Sequence, residues 1–511
     1  MGRGIFTAFF LTLMFFGACD GKPSSEPGSA GLEAASAQKS RPLRAVIDED
    51  LPTLDPHHHL TIVGGLVLRN IFEPLVDLGP EGELVPRLAK TWETADSQRW
   101  QFFLREDVFF HDGATLTTAD VVFSLERCRN DPRSEIGGFL AGVESISHDP
   151  QAGRIDIETT RPDPYFLESL AAVLVVSENA PEVILEPIGT GPYRFGSYER
   201  GSMLTLQSFP EYWRGSPREP LVEFLVIPES EVAVQRLERG EVDLVRGLPP
   251  RLVDRVESKP ELWVDSRLSQ SVLFLSLNPG VPPLDDPKVR QAIDLALDRE
   301  ALMAGVHLNH ARPASQLLGP GVFGYDPDLE AAHRDVEMAH HLLRQSTHGE
   351  GVELLLETTE AYLPQAMAVG KQLDGAGFET KVVARPWPDL YAGLEAGTVG
   401  AWYGLWNFDS SDAGIFFDQV IHTPTADGNW GSANFSGHGD AEVDLLIRAA
   451  SAELDPEARR RQFQQISRRV AEIRIYVPLL WPLDLYGMRR DLDWEARKDS
   501  GLLFFDMHRK E

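Results

Sequence analysis

The chain has 511 residues, of which 42% are hydrophobic and 25% charged, the composition of an ordinary globular protein. Its 78 acidic residues outnumber its 48 Lys and Arg residues, and the formal charge of −30 argues against nucleic acid as a partner, because phosphate binding needs clustered basic side chains. Cys128 is the only cysteine after Cys19, so no disulfide can form within the body of the chain.

The first residues are typical of export rather than of a fold. An apolar run at 5–16 follows Arg3 and is too short to span a bilayer, which takes about 20 residues. Residues 1–18 are therefore predicted to be a signal peptide. Phe16-Gly17-Ala18-Cys19 resembles the lipobox of bacterial lipoproteins, which implies cleavage before Cys19 and acylation of Cys19. The alternative is an ordinary signal peptide followed by an incidental cysteine.

Residues 19–40 are rich in Gly, Ser, Pro, Ala, Glu and Lys, and such a stretch cannot bury enough apolar surface to fold. We expect a flexible tether, held at the membrane by the acyl chains of Cys19. Asp20 directly after that cysteine resembles the inner-membrane retention signal of enteric-type bacteria. The expected location is the periplasmic face of the inner membrane.

The body that follows alternates strand-like and helix-like patterns without a repeat, which favours an α/β fold. Residues 154–159 alternate apolar and polar side chains and predict a half-exposed strand, whereas 272–277 are apolar throughout and predict a buried one. Residues 100–104 give a third strand. A helix is predicted to begin after Asp286 with Pro287 in its first turn, and a helical region at 441–473 is expected to break at Pro456.

Several segments occur in a fixed order along the chain. They are Asn70-Ile71-Phe72-Glu73-Pro74-Leu75-Val76, His111-Asp112-Gly113, Thr118-Ala119-Asp120-Val121-Val122-Phe123-Ser124, Gly189-Thr190-Gly191-Pro192-Tyr193 and Tyr212-Trp213-Arg214-Gly215. The most specific segment is 286–302, with Asp286-Pro287-Lys288-Val289-Arg290-Gln291-Ala292-Ile293. Together they resemble the oligopeptide/dipeptide-binding proteins of ABC importers, the bacterial extracellular solute-binding proteins of family 5.

The resemblance implies a type II periplasmic-binding-protein fold of two hinged α/β lobes with an additional domain. The expected first lobe combines 41–57, 184–268 and 476–511, the additional domain is 58–183, and the second lobe is 269–475. A monomer is expected. Closure about the hinge would bury a ligand and create the shape that a transporter recognises.

The resemblance also implies a function without catalysis or cofactor. The protein would capture short peptides and deliver them to permease and ATPase subunits of an importer. Alternatives are a relative that binds a non-peptide solute, such as a nickel chelate or a sugar, and a periplasmic sensing module.

The family's site motif matches Trp406-Asn407-Phe408-Asp409-Ser410-Ser411-Asp412-Ala413-Gly414-Ile415-Phe416. By this resemblance Asp409 is the candidate partner of the peptide α-amino group, because a buried cation needs a carboxylate. The same Asp could instead cap a local turn. The other candidate peptide contacts are Trp402, Tyr403, Gly404, Leu405 and Trp406.

The sequence departs from the family at two places. Asp412-Ala413-Gly414 replaces the usual continuation of the motif, and Tyr403 stands where some oligopeptide binders have an Arg three residues before the Trp. A ligand carboxylate would therefore need another partner, for which the candidates are Arg312, Arg385 and His310.

Enzyme motifs and metal sites are weaker interpretations. Gly189-Thr190-Gly191 completes neither phosphate-loop pattern, and no His-Glu-x-x-His or Gly-x-Ser-x-Gly occurs. His57-His58-His59 and His307-x-x-His310 could hold a metal. Neighbouring residues on an extended strand point to opposite faces, however, so the triplet is predicted to be a surface loop, with cleft lining and metal binding as its alternatives and no metal site assigned.

Overall fold

A large mixed β-sheet organises the molecule. The computed structural model describes residues 41–59, 61–408, 412–426, 428, 430–499 and 501–510. The strands within these ranges are β1 (Leu43–Ile47), β2 (Val76–Leu78), β3 (Leu84–Pro86), β4 (Ala89–Thr94), β5 (Arg99–Leu104), β6 (Val143–Asp149), β7 (Arg154–Thr159), β8 (Tyr193–Glu199), β9 (Met203–Ser208), β10 (Leu221–Val226), β11 (Leu244–Arg246), β12 (Leu262–Leu268), β13 (Ser271–Leu277), β14 (Ala311–Pro313), β15 (Val352–Thr358), β16 (Phe378–Ala384), β17 (Ala401–Asn407), β18 (Tyr476–Arg489), β19 (Leu492–Asp493) and β20 (His508–Arg509).

Helices cover the sheet or connect its strands. They are α1 (Ile62–Leu68), α2 (Thr118–Asn130), α3 (Phe166–Ala171), α4 (Ser230–Glu238), α5 (Val253–Glu257), α6 (Pro287–Ala296), α7 (Arg299–Val306), α8 (Val336–Gln345), α9 (Leu363–Asp374), α10 (Trp387–Glu395), α11 (Gly414–Phe416), α12 (Ala441–Ser451) and α13 (Pro456–Ile473). A π-helical turn at Phe417–Ile421 continues α11. None of the helices in the described part of the chain is both long and apolar enough to cross a membrane.

The large sheet has the strand order β16-β15-β17-β13-β18-β11-β1-β10-β9-β8, and β12 and β14 also pair with β18. The strand β18 joins its two halves. The first residues of β18 pair with β13, as in Leu273 opposite Leu480, whereas its last residues pair with β11 and β12, as in Leu244 opposite Met488. One strand therefore belongs to both halves of the sheet.

A separate four-stranded antiparallel sheet, in the order β4-β5-β7-β6, packs on α2 and has its own apolar core. The strand β7 alternates half-buried and buried residues along its length. The strand β13, by contrast, is buried at every residue. Both predictions from the sequence pattern are confirmed, because a strand with one wet face must alternate and a strand covered on both faces need not.

Two predicted helix boundaries are also confirmed. The Asp286 side chain accepts a hydrogen bond from the Lys288 backbone N–H, and Pro287 occupies the first turn of α6, where no N–H donor is needed. The predicted break before Pro456 separates α12 from α13, and Asp455 caps the second helix by accepting from the Glu457 and Ala458 backbone N–H groups. The architecture is mixed α/β, as the alternating patterns of the sequence predict.

Candidate functional site

A cavity of about 290 Å³ lies between two parts of the chain that are distant in sequence. Its amino-terminal wall comes from residues 56–69 and 136–174, and its carboxy-terminal wall from residues 406–419. The side chains that line it are mostly apolar, with a few ionisable groups among them. The lining residues used below are His59, Ile62, Arg69, Ile136, Phe139, Glu168, Trp406, Phe408, Asp412 and Phe416.

The carboxy-terminal wall begins at the end of β17, and the period of two along this strand decides which side chains reach the cavity. Trp402, Gly404 and Trp406 share one face. The Trp402 ring lies flat over Gly404, where a Cβ atom would come within 1.8 Å of that ring. Trp402 is thereby held in the core against Phe274, and Trp406 at the strand end lines the cavity and contacts Phe416.

The predicted peptide contacts are spread between the cavity and the core. Trp406 lines the cavity, whereas Tyr403 is 2% exposed and packs beside Tyr362 on the opposite face of β17. Leu405 shares that opposite face, and Gly404 lies under the Trp402 ring. Asp409 lies outside the described residues. The residues on either side of the gap, Phe408 and Asp412, both line the cavity.

The backbone of β17 has an unpaired edge near the cavity. On the side of β15, pairing covers only Ala401 and Trp402. Among the described strands none continues this pairing along the rest of β17, although the Thr358 hydroxyl donates to the Tyr403 carbonyl at 3.1 Å. Strand edges of this kind can take an extended peptide as an added strand.

The histidine triplet is not the surface loop that the sequence predicted, since His57 is 0% exposed and His59 5% exposed. His57 Nε2 lies 2.8 Å from the Leu174 carbonyl oxygen, and Arg127 donates to His57 Nδ1, also at 2.8 Å. Burial lowers the pKa of His57 to about 4, so the ring is neutral at physiological pH. The Asp55–Arg127 ion pair beside it anchors the segment in the interior.

His59 is the member of the triplet that reaches the cavity. Its ring packs against Gly64, where a Cβ atom would lie 2.5 Å from Nδ1. Both ring nitrogens are buried and have no hydrogen-bond partner. Burial lowers the pKa of His59. The ring is thus a neutral, unsatisfied donor and acceptor on the amino-terminal wall.

Four carboxyl groups cluster around the cavity and an adjoining chamber of about 610 Å³, which shares Ile136, Phe139, Ser169, Ile415 and Gln419 with it. Asp163 and Glu168 belong to the amino-terminal side, and Asp412 and Asp418 to the carboxy-terminal side. Burial is the main cause that raises the pKa of all four. The pKa of Glu168 and that of Asp418 each rise to about 7.

Two arginines lie among these carboxyl groups. Arg459 donates to Asp412 Oδ1 at 2.7 Å, and its guanidinium group stacks 4.1 Å above the Tyr165 ring. Arg161 stacks on Trp430 at 5.3 Å and lowers the pKa of Asp418 by its charge. Arg69, which lines the cavity, is already engaged with Asp77 and with the Ala171 carbonyl oxygen.

Tyr165 crosses from the amino-terminal side into the apolar core of the other side. It precedes α3, but its ring packs among residues of α11, α12 and α13, including Phe416, Ile447 and Phe463. The fit depends on Gly414, since a Cβ atom there would lie 1.9 Å from the Tyr165 ring. The inserted Tyr165 ring is therefore one of the contacts that join the two sides of the cavity, beside Arg161 on Trp430.

The remaining sequence candidates lie elsewhere. Arg385 pairs with Glu357 at 2.8 Å, and Arg312 is an exposed residue of β14. Neither of them, nor His310, lines the cavity. Within the described ranges no group of three or more His, Cys, Asp or Glu side chains is arranged to hold a metal ion. For the histidine triplet, cleft lining was the alternative to a surface loop, and His59 does line the cavity. Sequence reasoning missed Glu168, which carries no local motif that would have identified it.

Comparisons with known proteins agree with this geometry. A family model described as "Bacterial extracellular solute-binding proteins, family 5 Middle" matches residues 83–428. The "Probable di/tripeptide-binding protein 5" of Pseudomonas aeruginosa is 27% identical over 437 residues, which cover 79% of this chain and 82% of the relative.

Solved structures share the fold at lower identity. The periplasmic binding protein DppA from Helicobacter pylori, in complex with the peptide STSA, has a TM-score of 0.77 at 21% identity and covers 93% of this chain and 100% of its own. NikZ from Campylobacter jejuni, in complex with Ni(L-His), has a TM-score of 0.76 at 20% identity and covers 91% of this chain and 99% of its own.

Proposed function

Because the chain belongs to the bacterial extracellular solute-binding proteins of family 5, the binding subunits of ABC importers, we propose that it captures short peptides and delivers them to a permease driven by ATPase subunits. The observation that carries the proposal is the placement of Trp406, Phe408 and Asp412 on one wall of the same cavity. The same stretch of sequence resembles the family's amine-binding motif. The di/tripeptide-binding relative supports the same ligand class.

In this proposal the α-ammonium group of the peptide binds Asp409, and the peptide backbone lies along the free edge of β17 near Gly404 and Leu405. Trp406, Phe408 and Phe416 then form an apolar surface for the first side chain. Rigid aromatic rings can accept varied side chains, because they do not require hydrogen bonds from them. The protein would select peptides of a given length through its contacts with the two ends of the peptide.

The direct test is mass spectrometry of the small molecules that copurify with the protein and are released by denaturation. Short peptides of one or two lengths are the expected result. Calorimetric titration with alanyl-alanine and trialanine then tests the amine contact, since Asp409→Asn should weaken binding at least tenfold and N-acetylated peptides should bind as poorly to wild type. Asp389→Asn, on α10 and away from the cavity, is the matched control. A single non-peptide solute in the released fraction would contradict the proposal.

A second candidate ligand is a metal chelate. The observation that favours it is the unsatisfied His59 ring on the cavity wall, because one histidine can complete the coordination of a metal already held by a small chelator. The same released fraction separates the two candidates. Nickel in stoichiometric amount, lost in His59→Ala, would favour the chelate.

We also propose that Cys19 is acylated and holds the monomeric protein at the periplasmic face of the inner membrane. The lipobox-like Phe16-Gly17-Ala18-Cys19 and the polar stretch after it support this. Metabolic labelling with radioactive palmitate should mark wild type but not Cys19→Ser. If the wild-type protein is not labelled and is absent from the membrane fraction, the lipid anchor is excluded.

A further inference from the structure

We propose that the cavity selects peptides with a second positive charge, a Lys or Arg side chain near the amino end, and that Glu168 is the residue that binds this charge. The inference rests on the proposed function, since it names the class of peptide that the same cavity takes. It concerns a residue on the wall opposite to the family's amine-binding motif.

The position of Glu168 is the first argument. It lies on α3, which is short and packs close to the cavity, and its side chain forms part of the lining. The atom Oε2 is buried and has no hydrogen-bond partner. A buried carboxylate oxygen without a partner loses its hydration and gains nothing in return, so a ligand donor at this point would be strongly favoured.

The other three carboxyl groups of the cluster already have partners. Asp412 accepts from Arg459, Asp418 accepts from the Ser451 hydroxyl at 2.8 Å, and Asp163 accepts from the Tyr165 backbone N–H at 3.0 Å. Glu168 is thus the carboxyl group of this cluster that lines the cavity and has a buried oxygen, Oε2, without a hydrogen-bond partner. The ligand group that meets it must be a donor.

The charge of the site indicates that this donor is a cation. Asp163, Glu168, Asp412 and Asp418 outnumber the two arginines among them, Arg161 and Arg459, and burial raises the pKa of each carboxyl group. The α-ammonium group of a peptide would supply one positive charge. A second ligand cation would favour the ionised form of the remaining carboxyl group, because opposite charges attract strongly where water is scarce.

The remaining lining suits a long basic side chain. Ile62, Ile136 and Phe139 can cover the methylene groups of Lys or Arg while the charged end reaches Glu168. His59, with a neutral ring and both nitrogens unbonded, offers an additional acceptor on the same wall. The unpartnered histidine is not part of the acidic cluster, and its neutral ring has one nitrogen that can accept from a ligand donor and one N–H that can donate.

Calorimetric titration at pH 7.5 with matched peptides tests the inference. Lysyl-alanine and lysyl-alanyl-alanine are compared with their norleucyl counterparts, which keep the methylene chain but lack the ammonium group. In wild type the lysyl peptide is expected to bind at least tenfold more tightly than the norleucyl peptide. In Glu168→Gln, which preserves shape but not charge, this ratio should fall to below about threefold. The exposed Glu144→Gln should keep the wild-type ratio.

The outcomes separate this inference from the proposed function. Equal affinity of wild type for lysyl and norleucyl peptides, or an unchanged ratio in Glu168→Gln, would overturn the role of Glu168 and leave peptide capture intact. If none of the four peptides binds wild type at millimolar concentration, peptide capture fails and the inference fails with it. Glu168→Asp, which retains the charge on a shorter side chain, should restore part of the preference.

Discussion

At the scale of single residues, the ion pair between Asp412 and Arg459 holds charge in the interior. The two side chains are 8% and 7% exposed, and the guanidinium group is surrounded by the rings of Tyr165, Phe323 and Phe463. Such a pair gains little over an apolar pair, but breaking it leaves one charge buried without compensation. The cost of losing either partner is therefore larger than the value of the pair itself.

Arg459→Met is expected to lower the free energy of unfolding by about 3–5 kcal/mol, because Asp412 remains buried without its cation. Urea unfolding at pH 7.5 measures this. The neighbouring Arg460 supplies the control, because its side chain is 41% exposed and that of its partner Glu457 is 65% exposed. Arg460→Met should lower the free energy of unfolding by less than about 1 kcal/mol. Equal losses in both variants would show that the buried pair has no special role.

The pKa of Glu168 gives a prediction about pH. Burial and the negative charges of Asp412 and Asp163 raise it to about 7, and Arg459 opposes this. Asp418 and Arg161 in the adjoining chamber, and Arg69 and His59 on the cavity wall, are the other charged or titratable groups nearby. Because the pKa of Glu168 is raised, its carboxyl group is mostly ionised only above about pH 7. The attraction of this carboxyl group for a ligand cation is therefore lost as the pH falls through that value.

The ratio of lysyl to norleucyl affinity should therefore rise roughly tenfold between pH 6 and pH 7.5, since one pKa unit corresponds to a factor of ten. The lysine ammonium group stays protonated throughout, and effects on the peptide α-amino group cancel in the ratio. Titration calorimetry in two buffers of different ionisation enthalpy would also detect proton release on binding. A ratio that does not change with pH in wild type would contradict this prediction.

At the scale of elements, the contact between Tyr165 and the turn before α11 decides whether the two sides of the cavity can meet. Gly414→Ala is expected to displace the Tyr165 ring, because the new Cβ atom would lie 1.9 Å from it. Peptide affinity should fall at least tenfold while the far-ultraviolet circular dichroism remains that of wild type. The control is Gly305→Ala in α7, where the new Cβ atom would meet no atom within 4 Å. This variant should bind peptide normally. Wild-type affinity in Gly414→Ala would show that Tyr165 has no part in holding the sides together.

The elements themselves could largely be predicted from sequence. β7, β13 and α6 were predictable because local patterns determine them: alternation, continuous apolar residues, and a capping Asp before a Pro. The cavity was only partly predictable. Trp406 lies within a recognisable motif, but Glu168 acquires its environment from Asp412 and Arg459, more than a hundred residues away. The burial of His57 likewise depends on Arg127 and Leu174.

At the scale of the whole molecule, a ligand enclosed between two sides of the chain stabilises the closed state. Peptide at a hundred times its dissociation constant should raise the free energy of unfolding by about 2.7 kcal/mol. Small-angle X-ray scattering should show a smaller radius of gyration with peptide than without it, and Gly414→Ala should not show this decrease. A radius of gyration that is the same with and without bound peptide in wild type would exclude closure.

The long strand β18 has a consequence for the order in which the protein can form. The ribosome delivers β13 and β11 long before residues 476–489, which must lie between them in the sheet. A nascent chain therefore lacks the central strand of both halves until residues 476–489 have emerged. Neither half can complete its hydrogen bonding before that point, so the two halves depend on the same late strand to become stable.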